Sequence, residues 1–272
     1  MKAKIILTTI LSLGILSFAN NAQALEKITV AATPVPHAEI LEVVKPILEK
    51  EGFDLQVTEF NDYTLPQLAV HNHDVDANFY QHAPGLKAWV SEHHHDLIEV
   101  PNSAVHIEPM GVYSKKIQNL KDLKDGALIA IPNDLSNCAR ALILLSKAGL
   151  IKLDDPNNVV ATELDIVENP KNLQFRQLDA AQLPRSLEDT YASVINANYA
   201  IEAGLNPLKD SLFVEEKESP YVNILVAHSG SINKPGIKAL AKALHSTDVK
   251  KFIEEKYQGA VAPAFKKITT PT

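Results

Sequence analysis

The chain has 272 residues, of which 46% are hydrophobic and 22% charged, and its formal net charge at pH 7 is −7. This is the composition of a globular protein, and the length suits two domains of ordinary size. The acidic balance argues against nucleic acid or an anionic membrane surface as the partner.

The first 24 residues predict a secretory signal peptide. Lys2 and Lys4 precede an apolar run that is too short for a bilayer span, and Ala22-Gln23-Ala24 matches a small-x-small cleavage site. The only cysteine is Cys138, so no lipobox cysteine follows the predicted cleavage near Ala24, and no internal disulfide can form. We therefore predict a protein that is freely soluble in the periplasm, and we expect a monomer.

Strand and helix patterns alternate in the first part of the mature chain. Apolar and β-branched runs predict strands at 27–32, 53–60 and 75–80. Apolar residues at helical spacing predict a helix that Gly52 ends, and a short helix is predicted over 63–74. This alternation is typical of an α/β unit with a largely parallel sheet.

A second α/β unit is predicted to begin after about residue 112. Its predicted strands lie within 124–134, 173–187, 191–205 and 221–230, and two helices follow over 234–257. No Gly/Ser linker separates the two units, so we expect them to lie close together. A cleft between two such units is a standard place for a small ligand.

Aromatic and imidazole side chains follow the predicted strand ends of the first unit. Tyr63, Tyr80 and His82 all lie just past such ends, where ligands gather in parallel sheets. Tyrosine can form the wall of an apolar pocket and still offer a hydroxyl. The spacing by itself is equally compatible with ordinary packing, because tyrosine and histidine are commonly half-buried.

Polar residues in the second unit form another candidate set. Asp134, Ser136 or Asn137 can cap the helix that contains Arg140, and the guanidinium of arginine suits a carboxylate. The alternative is that Arg140 is a solvated surface residue with no ligand. Asn196 follows a strand, and Asn223 interrupts one, so each is either a ligand contact or a structural amide bonded to the backbone.

Two histidine runs and the lone cysteine offer other chemistries. The runs at 71–73 and 93–95 could bind a metal, but adjacent residues rarely point at one ion, so we predict solvated histidines and no metal site. Cys138 lies near a predicted helix start without a paired base, so we predict an inert thiol. The chain contains no nucleophile-elbow, P-loop or HExxH motif, so we expect neither catalysis nor a cofactor.

Several blocks of sequence occur in a fixed order between about residues 27 and 265. Among them are "TPVPHAEILE", "FNDY", "DANFYQH", "HIEPMGVYSKK", "DIVENPKNL" and "SPYVNI". Together they resemble the NlpA/MetQ family, the substrate-binding proteins of methionine-type ABC importers. The resemblance implies an amino-acid ligand, methionine by default, that is delivered to the permease and ATPase of an importer.

The resemblance also implies a fold and its division. It implies a two-lobed α/β periplasmic-binding-protein fold (type II-like), with a mixed, mostly parallel sheet flanked by helices in each lobe and two crossover strands. Lobe I would comprise residues 25–112 and 226–272, and lobe II residues 113–225. Arg140 would hold the ligand carboxylate, Asn196 and Asn223 its amino and carboxylate groups, and Tyr63, Tyr80 and His82 its side chain.

The sequence departs from the family pattern in three ways, one of which is the missing lipobox cysteine. Gly85 stands where an aromatic residue is usual and removes one pocket wall, while Tyr80 stands where phenylalanine is usual. Cys138 and Ala139 replace glycines that let the backbone approach the ligand. These departures leave a different amino acid or a methionine-containing dipeptide as alternative ligands, and the histidine runs leave a His-rich metal-binding protein as a further alternative.

Overall fold

The computed structural model describes residues 24–216 and 219–265. Apart from Ala24, the predicted signal peptide lies outside the described residues. The strands are β1 (Glu26–Ala32), β2 (Phe53–Glu59), β3 (Ala77–His82), β4 (Leu97–Ile107), β5 (Gly111–Tyr113), β6 (Leu128–Pro132), β7 (Lys152–Leu153), β8 (Ile166–Glu168), β9 (Gln174–Leu178), β10 (Ala192–Ile195), β11 (Phe213–Val214), β12 (Val222–His228) and β13 (Ala262–Pro263).

The α-helices flank these strands. They are α1 (Glu39–Lys50), α2 (Leu65–His71), α3 (Ala83–His93), α4 (Leu135–Lys147), α5 (Leu183–Ser186), α6 (Ala197–Glu202), α7 (Pro235–Leu244) and α8 (Thr247–Tyr257). Single helical turns lie at Pro34–Ala38, Leu120–Asp122, Glu163–Asp165 and Ala180–Gln182. Within the described residues, no helix combines the length and the apolar character needed to cross a membrane.

The first sheet has six strands in the order β13-β4-β12-β3-β1-β2. β1 runs parallel to β2 and β3, whereas β12 runs antiparallel to β3 and β4. Helix α1 buries Ile40, Leu41, Val44 and Leu48, which recur on one helical face, in the core beneath this sheet.

The second sheet has five strands in the order β11-β5-β10-β6-β9. β6 pairs in parallel with β9 and β10, and β5 pairs antiparallel with β10 and β11. Both large sheets are therefore mixed, with more antiparallel pairing than the strand-helix alternation indicated. Helix α4 packs Ala139, Leu142 and Leu145 into the core of this sheet.

The chain passes between the two sheets twice. Residues 108–110 connect β4 to β5, and the second passage follows β11 and precedes β12, with residues 217 and 218 outside the described part of the chain. We propose that each sheet with its helices is one lobe and that the lobe boundaries lie in these two connections. The predicted boundaries at 112 and 225 would divide β5 and β12, each of which pairs within a single sheet.

Helix α3 has no counterpart among the predicted elements, and its first turn contains Pro84 and Gly85. Proline suits the first turn of a helix, where its missing N–H costs nothing. His82 caps the helix, since its side chain accepts a hydrogen bond from the N–H of Gly85. The run of histidines at 93–95 therefore lies at the end of a helix, where His94 adopts a left-handed conformation with φ 55°.

Candidate functional site

One edge of the first sheet carries several polar side chains. β1, β3 and β4 end at this edge, and the antiparallel strand β12 begins there. Asn223, on β12, pairs with His82 on one side and with His106 on the other. Residues that face each other in an antiparallel pair lie on the same side of the sheet, so these three side chains are neighbours.

Two strands of the second sheet also end next to these side chains of the first sheet. β6 leads into α4, which carries Asn137 and Arg140, and β10 leads into α6, where Asn196 occupies the N-cap position. Both strands are parallel, so their following residues meet at one edge. Candidate ligand-binding side chains that follow the strands of the two sheets therefore face each other across a cleft.

A cavity of about 100 Å³ lies in this cleft. All six predicted site residues line it, namely Tyr63, Tyr80, His82, Arg140, Asn196 and Asn223. The structure thus brings together side chains that are up to 160 positions apart in sequence (from Tyr63 to Asn223). Their individual roles in ligand binding remain predictions.

The two tyrosines form a polar and aromatic wall. Tyr63 donates a hydrogen bond to Oδ1 of Asn198 over 2.7 Å, and Tyr80 donates to the carbonyl oxygen of Tyr63 over 2.6 Å. Their ring centroids are 5.7 Å apart, and Tyr199 lies 5.2 Å from Tyr63. Burial raises the pKa of both hydroxyls well above the usual range, so they remain neutral donors.

His82 is neutral and has a defined tautomer. Its Nδ1 accepts from the N–H of Gly85 over 2.9 Å, so Nε2 carries the hydrogen and donates it to Oδ1 of Asn137 over 3.3 Å. Burial, followed by the charge of Arg140, lowers the pKa of His82 to about 4. The same oxygen of Asn137 accepts from Nδ2 of Asn196 over 2.8 Å, so Asn137 joins three elements around the cavity.

Arg140 is almost completely buried and already paired on one edge. Its Nε and Nη2 bind the carboxylate of Glu215, with the Nε contact at 3.1 Å. Nη2 also donates to the carbonyl oxygen of Glu108 over 2.7 Å, and the guanidinium lies 4.3 Å from the ring centroid of Tyr221. No residue within 24–216 or 219–265 accepts a hydrogen bond from Nη1.

Three buried side chains beside the cavity could in principle bind a metal ion. The potential ligand atoms of His37, His106 and Glu108 lie within 4.8 Å of one another. Oε1 of Glu108 is 2.8 Å from Nε2 of His106 and 3.1 Å from Nε2 of His37. These are hydrogen-bond lengths. Nε2 of His106 donates to the carboxylate, and Nε2 of His37 lies between that carboxylate and Oδ1 of Asn223, which is 3.0 Å away, so hydrogen bonding accounts for the arrangement.

Two buried amide atoms next to the cavity have no partner among the described residues. They are Oδ1 of Asn196, an acceptor, and Nδ2 of Asn198, a donor. Buried amide atoms are normally hydrogen-bonded, so an unpaired acceptor and donor in one wall indicate that this wall meets a polar ligand.

The histidine runs lie elsewhere. His71 stacks on His95 with centroids 3.6 Å apart, and His93 stacks on Trp89 at 3.8 Å. Among the described residues, neither run contributes to a group with metal-ligand geometry. Cys138 is buried in α4, and burial with nearby acidic residues raises the pKa of its thiol to about 11. A thiol with this pKa is protonated at neutral pH.

Several lining residues escaped the sequence-based prediction. Glu108 lines the cavity, and Glu215 binds Arg140. Asn137, which was considered only as a helix cap, also lines the cavity. Glu108 could have been found, because it is a charged residue inside the apolar run "SAVHIEPMGVY". Glu215 could not, because it lies in an acidic stretch that resembles a surface loop. Gly85 does not leave the wall without an aromatic side chain, because Trp89, one turn later on α3, lines the same cavity.

Comparison with known proteins relates nearly the whole chain to one family. The family profile "NlpA lipoprotein" matches residues 28–265. The chain is 44% identical to the methionine-binding lipoprotein MetQ of Bacillus subtilis over 249 residues, covering 90% of each chain. It is also 44% identical to outer membrane lipoprotein 2 of Mannheimia haemolytica over 215 residues, covering 79% of this chain and 77% of that one.

A solved structure extends the likeness to the fold. A nutrient-binding protein from Burkholderia cenocepacia, solved bound to methionine, is similar with a TM-score of 0.84 and 43% identity. The alignment covers 88% of this chain and all (100%) of that one. This similarity confirms the predicted two-lobed α/β fold of substrate-binding proteins and the resemblance to the NlpA/MetQ family.

The predicted localisation is contradicted by the same comparisons. The family and its curated relatives are named lipoproteins, whereas we predicted a protein that is freely soluble in the periplasm. The prediction relied on the lack of a cysteine near residue 24, in a stretch that lies mostly outside the described residues. A lipid anchor needs no apolar helix, so the fold gives no support to free solubility either.

Proposed function

Because the chain belongs to the NlpA lipoprotein family, we propose that it binds an amino acid, with methionine as the preferred ligand, and delivers it to an ABC importer. The ligand would occupy the cavity between the two sheets. The protein would act as a monomer and would catalyse no reaction. Relatives that are named for methionine binding, and a similar structure solved with methionine, support the choice of ligand.

The observation that carries this proposal is the unpaired polar surface of the cavity. Nη1 of Arg140, Oδ1 of Asn196 and Nδ2 of Asn198 lack partners among the described residues, although each residue lines the cavity. The guanidinium and the amide N–H groups are donors that suit a ligand carboxylate, and the amide oxygen is an acceptor that suits a ligand ammonium group. Asn223 would add its amide from the opposite sheet.

The size and walls of the cavity favour a free amino acid. At roughly 10–15 Å³ per water-sized group, a cavity of about 100 Å³ holds a ligand with the size of one residue. The rings of Tyr63, Tyr80 and Trp89 would surround an apolar side chain and His82 would lie beside it. A dipeptide would need more room than this.

Arg140 would bind the ligand carboxylate through Nη1, since Glu215 occupies its other edge. Replacing Arg140 by alanine would leave the carboxylate of Glu215 without its partner and would cost about 3–5 kcal/mol of stability. Arg140→Lys is the better variant, because lysine retains the charge beside Glu215 and removes the forked donor.

The test is isothermal titration calorimetry with methionine, other amino acids and methionine-containing dipeptides, on protein refolded free of bound ligand. We expect methionine to bind most tightly and Arg140→Lys to weaken its binding by about 10- to 100-fold. Arg176→Lys, an exposed substitution on β9, is the matched control and should bind like the wild type. Tighter binding of a dipeptide would refute the ligand assignment, and normal binding by Arg140→Lys would refute the role of Arg140.

A further inference from the structure

Trp89 separates the cavity from a larger neighbouring groove. Its side chain lines both the cavity of about 100 Å³ and a groove of about 1290 Å³. The groove lies between α3 and the residues at the start of α4, among them Asn133 and Leu135. A displaced Trp89 would join the two spaces and leave a ligand in the cavity less enclosed, which would weaken its binding.

Two histidines hold Trp89 in this position. Nε1 of Trp89 donates a hydrogen bond to Nδ1 of His95 over 3.2 Å. The ring of His93 stacks on Trp89 with centroids 3.8 Å apart, and its Nδ1 donates to the carbonyl oxygen of Trp89 over 3.1 Å. The indole is therefore held at its polar edge and on one face.

His71, the last residue of α2, supports His95 in turn. The two rings are stacked with centroids 3.6 Å apart and planes 4° apart. Nδ1 of His71 is buried and has no partner among the described residues, so a hydrogen on that atom would be unsatisfied. The stack therefore suits neutral rings.

The contact with Trp89 requires a neutral His95. A protonated imidazole has two donors and no acceptor, so it cannot receive the hydrogen of the indole. Burial, followed by the neighbouring His71 and His93, lowers the pKa of His95, so the ring is neutral at neutral pH. The hydrogen bond is thus present at neutral pH and is lost when the pH falls below the ordinary histidine pKa of about 6.5.

No carboxylate of the described residues offsets a charge on these three rings. The histidines that pair with a carboxylate in 24–216 and 219–265 are His37 and His106, both at the cavity. His228, at the end of β12, contacts His73 with centroids 4.5 Å apart and lies outside the stack. The acidic residues nearest in sequence form no ion pair with the three rings, and they are Asp74, Glu92 and Asp96. Charges on adjacent rings would therefore repel each other without compensation.

We propose, on the basis of the proposed function, that His71, His93 and His95 form a proton-sensitive latch on Trp89, and that acidification weakens ligand binding by releasing this wall of the cavity. The three histidines are positioning residues, because Trp89 is the side chain that lines the cavity. Since Gly85 provides no aromatic wall, binding depends on how firmly Trp89 is held.

The first test uses the protein without ligand and the fluorescence of Trp89, which is the only tryptophan in the chain. Quenching by acrylamide measures the exposure of the indole. We expect quenching to increase by at least about twofold between about pH 7.5 and about pH 5.5, a range that spans the ordinary histidine pKa. His82 stays neutral throughout this range, because its pKa is about 4. Unchanged quenching overturns the proposal.

Variants of His95 separate its charge from its hydrogen bond. His95→Gln offers an amide oxygen to Trp89 and does not titrate, so its quenching should not depend on pH. His95→Leu has no acceptor and should be strongly quenched at both pH values. His94→Asn is the matched control outside the latch, and its φ of 55° is one that asparagine tolerates, so it should respond to pH like the wild type. A full pH response in His95→Gln overturns the proposal.

His71→Gln tests the stack. It removes a ring that opposes the protonation of His95, so the quenching transition should move to higher pH. An unmoved transition overturns the part of the proposal that concerns His71. Thermal unfolding reports whether each variant folds, and the wild-type titration decides the matter if one does not.

Calorimetry connects the latch to ligand binding. The wild type should bind methionine about 2- to 10-fold more weakly at about pH 5.5 than at about pH 7.5. His95→Gln should lose this difference. An equal change in both proteins assigns the pH dependence to other groups and overturns the proposal.

The two proposals fail in different ways. A wild-type protein that binds no amino acid at either pH refutes the proposed function, whereas the quenching of Trp89 still tests the latch. A wild-type protein that binds methionine equally well at both pH values refutes only the latch.

Discussion

The backbone N–H of Gly85 donates a hydrogen bond to Nδ1 of His82 over 2.9 Å, and a Cβ atom on Gly85 would lie 3.0 Å from Cε1 of the same ring. The glycine therefore lets the imidazole fold back over the first turn of α3. This contact orients Nε2 of His82 toward Asn137 on the opposite side of the cleft.

Gly85→Ala should disturb this contact. The added methyl group would push the ring of His82 by a few tenths of an ångström, weaken the helix cap at a cost of about 1 kcal/mol, and lengthen the His82–Asn137 contact. We expect a lower melting temperature and weaker methionine binding. Gly230→Ala is the matched control, because its Cβ would lie 3.5 Å from Nδ1 of His228, an ordinary contact. Equal effects of the two substitutions would contradict this explanation.

The hydrogen bond from Tyr63 to Asn198 joins the loop that follows β2 of the first sheet to helix α6, which follows β10 of the second sheet. Tyr63→Phe keeps the ring and removes the hydroxyl, so the lost hydrogen bond should cost about 0.5–1.5 kcal/mol and weaken methionine binding by roughly 2- to 10-fold. Tyr191→Phe is the control, because Tyr191 is half-buried and its ring faces Lys116. This substitution should leave methionine binding unchanged. Calorimetry measures both variants, and unchanged affinity of Tyr63→Phe would show that this bond does not favour the bound form.

Protonation of His82 should destabilise the protein in acid. Its pKa is about 4 in the folded protein, against 6.5 for an ordinary histidine, so the unfolded chain binds a proton that the folded protein does not. The stability that the neutral ring contributes is complete above about pH 6.5. It is lost as the pH falls toward about 4, at up to about 1.4 kcal/mol per pH unit.

Urea unfolding across this range measures the effect. His82→Asn should show a smaller fall in the free energy of unfolding than the wild type between about pH 6.5 and about pH 4. His106 also has a lowered pKa, so the difference between wild type and variant isolates His82. His94→Asn, at an exposed position, should behave like the wild type. Identical pH profiles of wild type and His82→Asn would refute the low pKa.

Cys138 should be nearly unreactive in the folded protein. A pKa of about 11 leaves only about one thiol in a thousand ionised near pH 8, so iodoacetamide should react at least about 100-fold more slowly than with a free thiol. Intact-mass measurement counts the adduct directly, because the chain has one cysteine. The same protein in urea is the control. Labelling at the rate of a free thiol would contradict the prediction and make Cys138 a candidate nucleophile.

Strong local patterns predicted most of the elements. Residues close together in sequence were enough to predict three of them. These are the β-branched strand β1, the amphipathic helix α1 and the capped apolar helix α4. Helix α3 was missed because its start depends on a side-chain cap from His82, which no pattern of apolar residues reveals. The antiparallel pairing of β12 was missed because pairing depends on which distant strands meet.

The sequence by itself determined the family, the α/β class and the six candidate site residues, since ordered motifs and strand-end positions are local properties. Only the tertiary structure decided which charges meet. It placed Glu215 against Arg140 and placed Glu108 between His37 and His106, pairs that range from two to 75 positions apart. The electrostatic interactions of buried groups depend on distance in space and on burial, and sequence separation specifies neither.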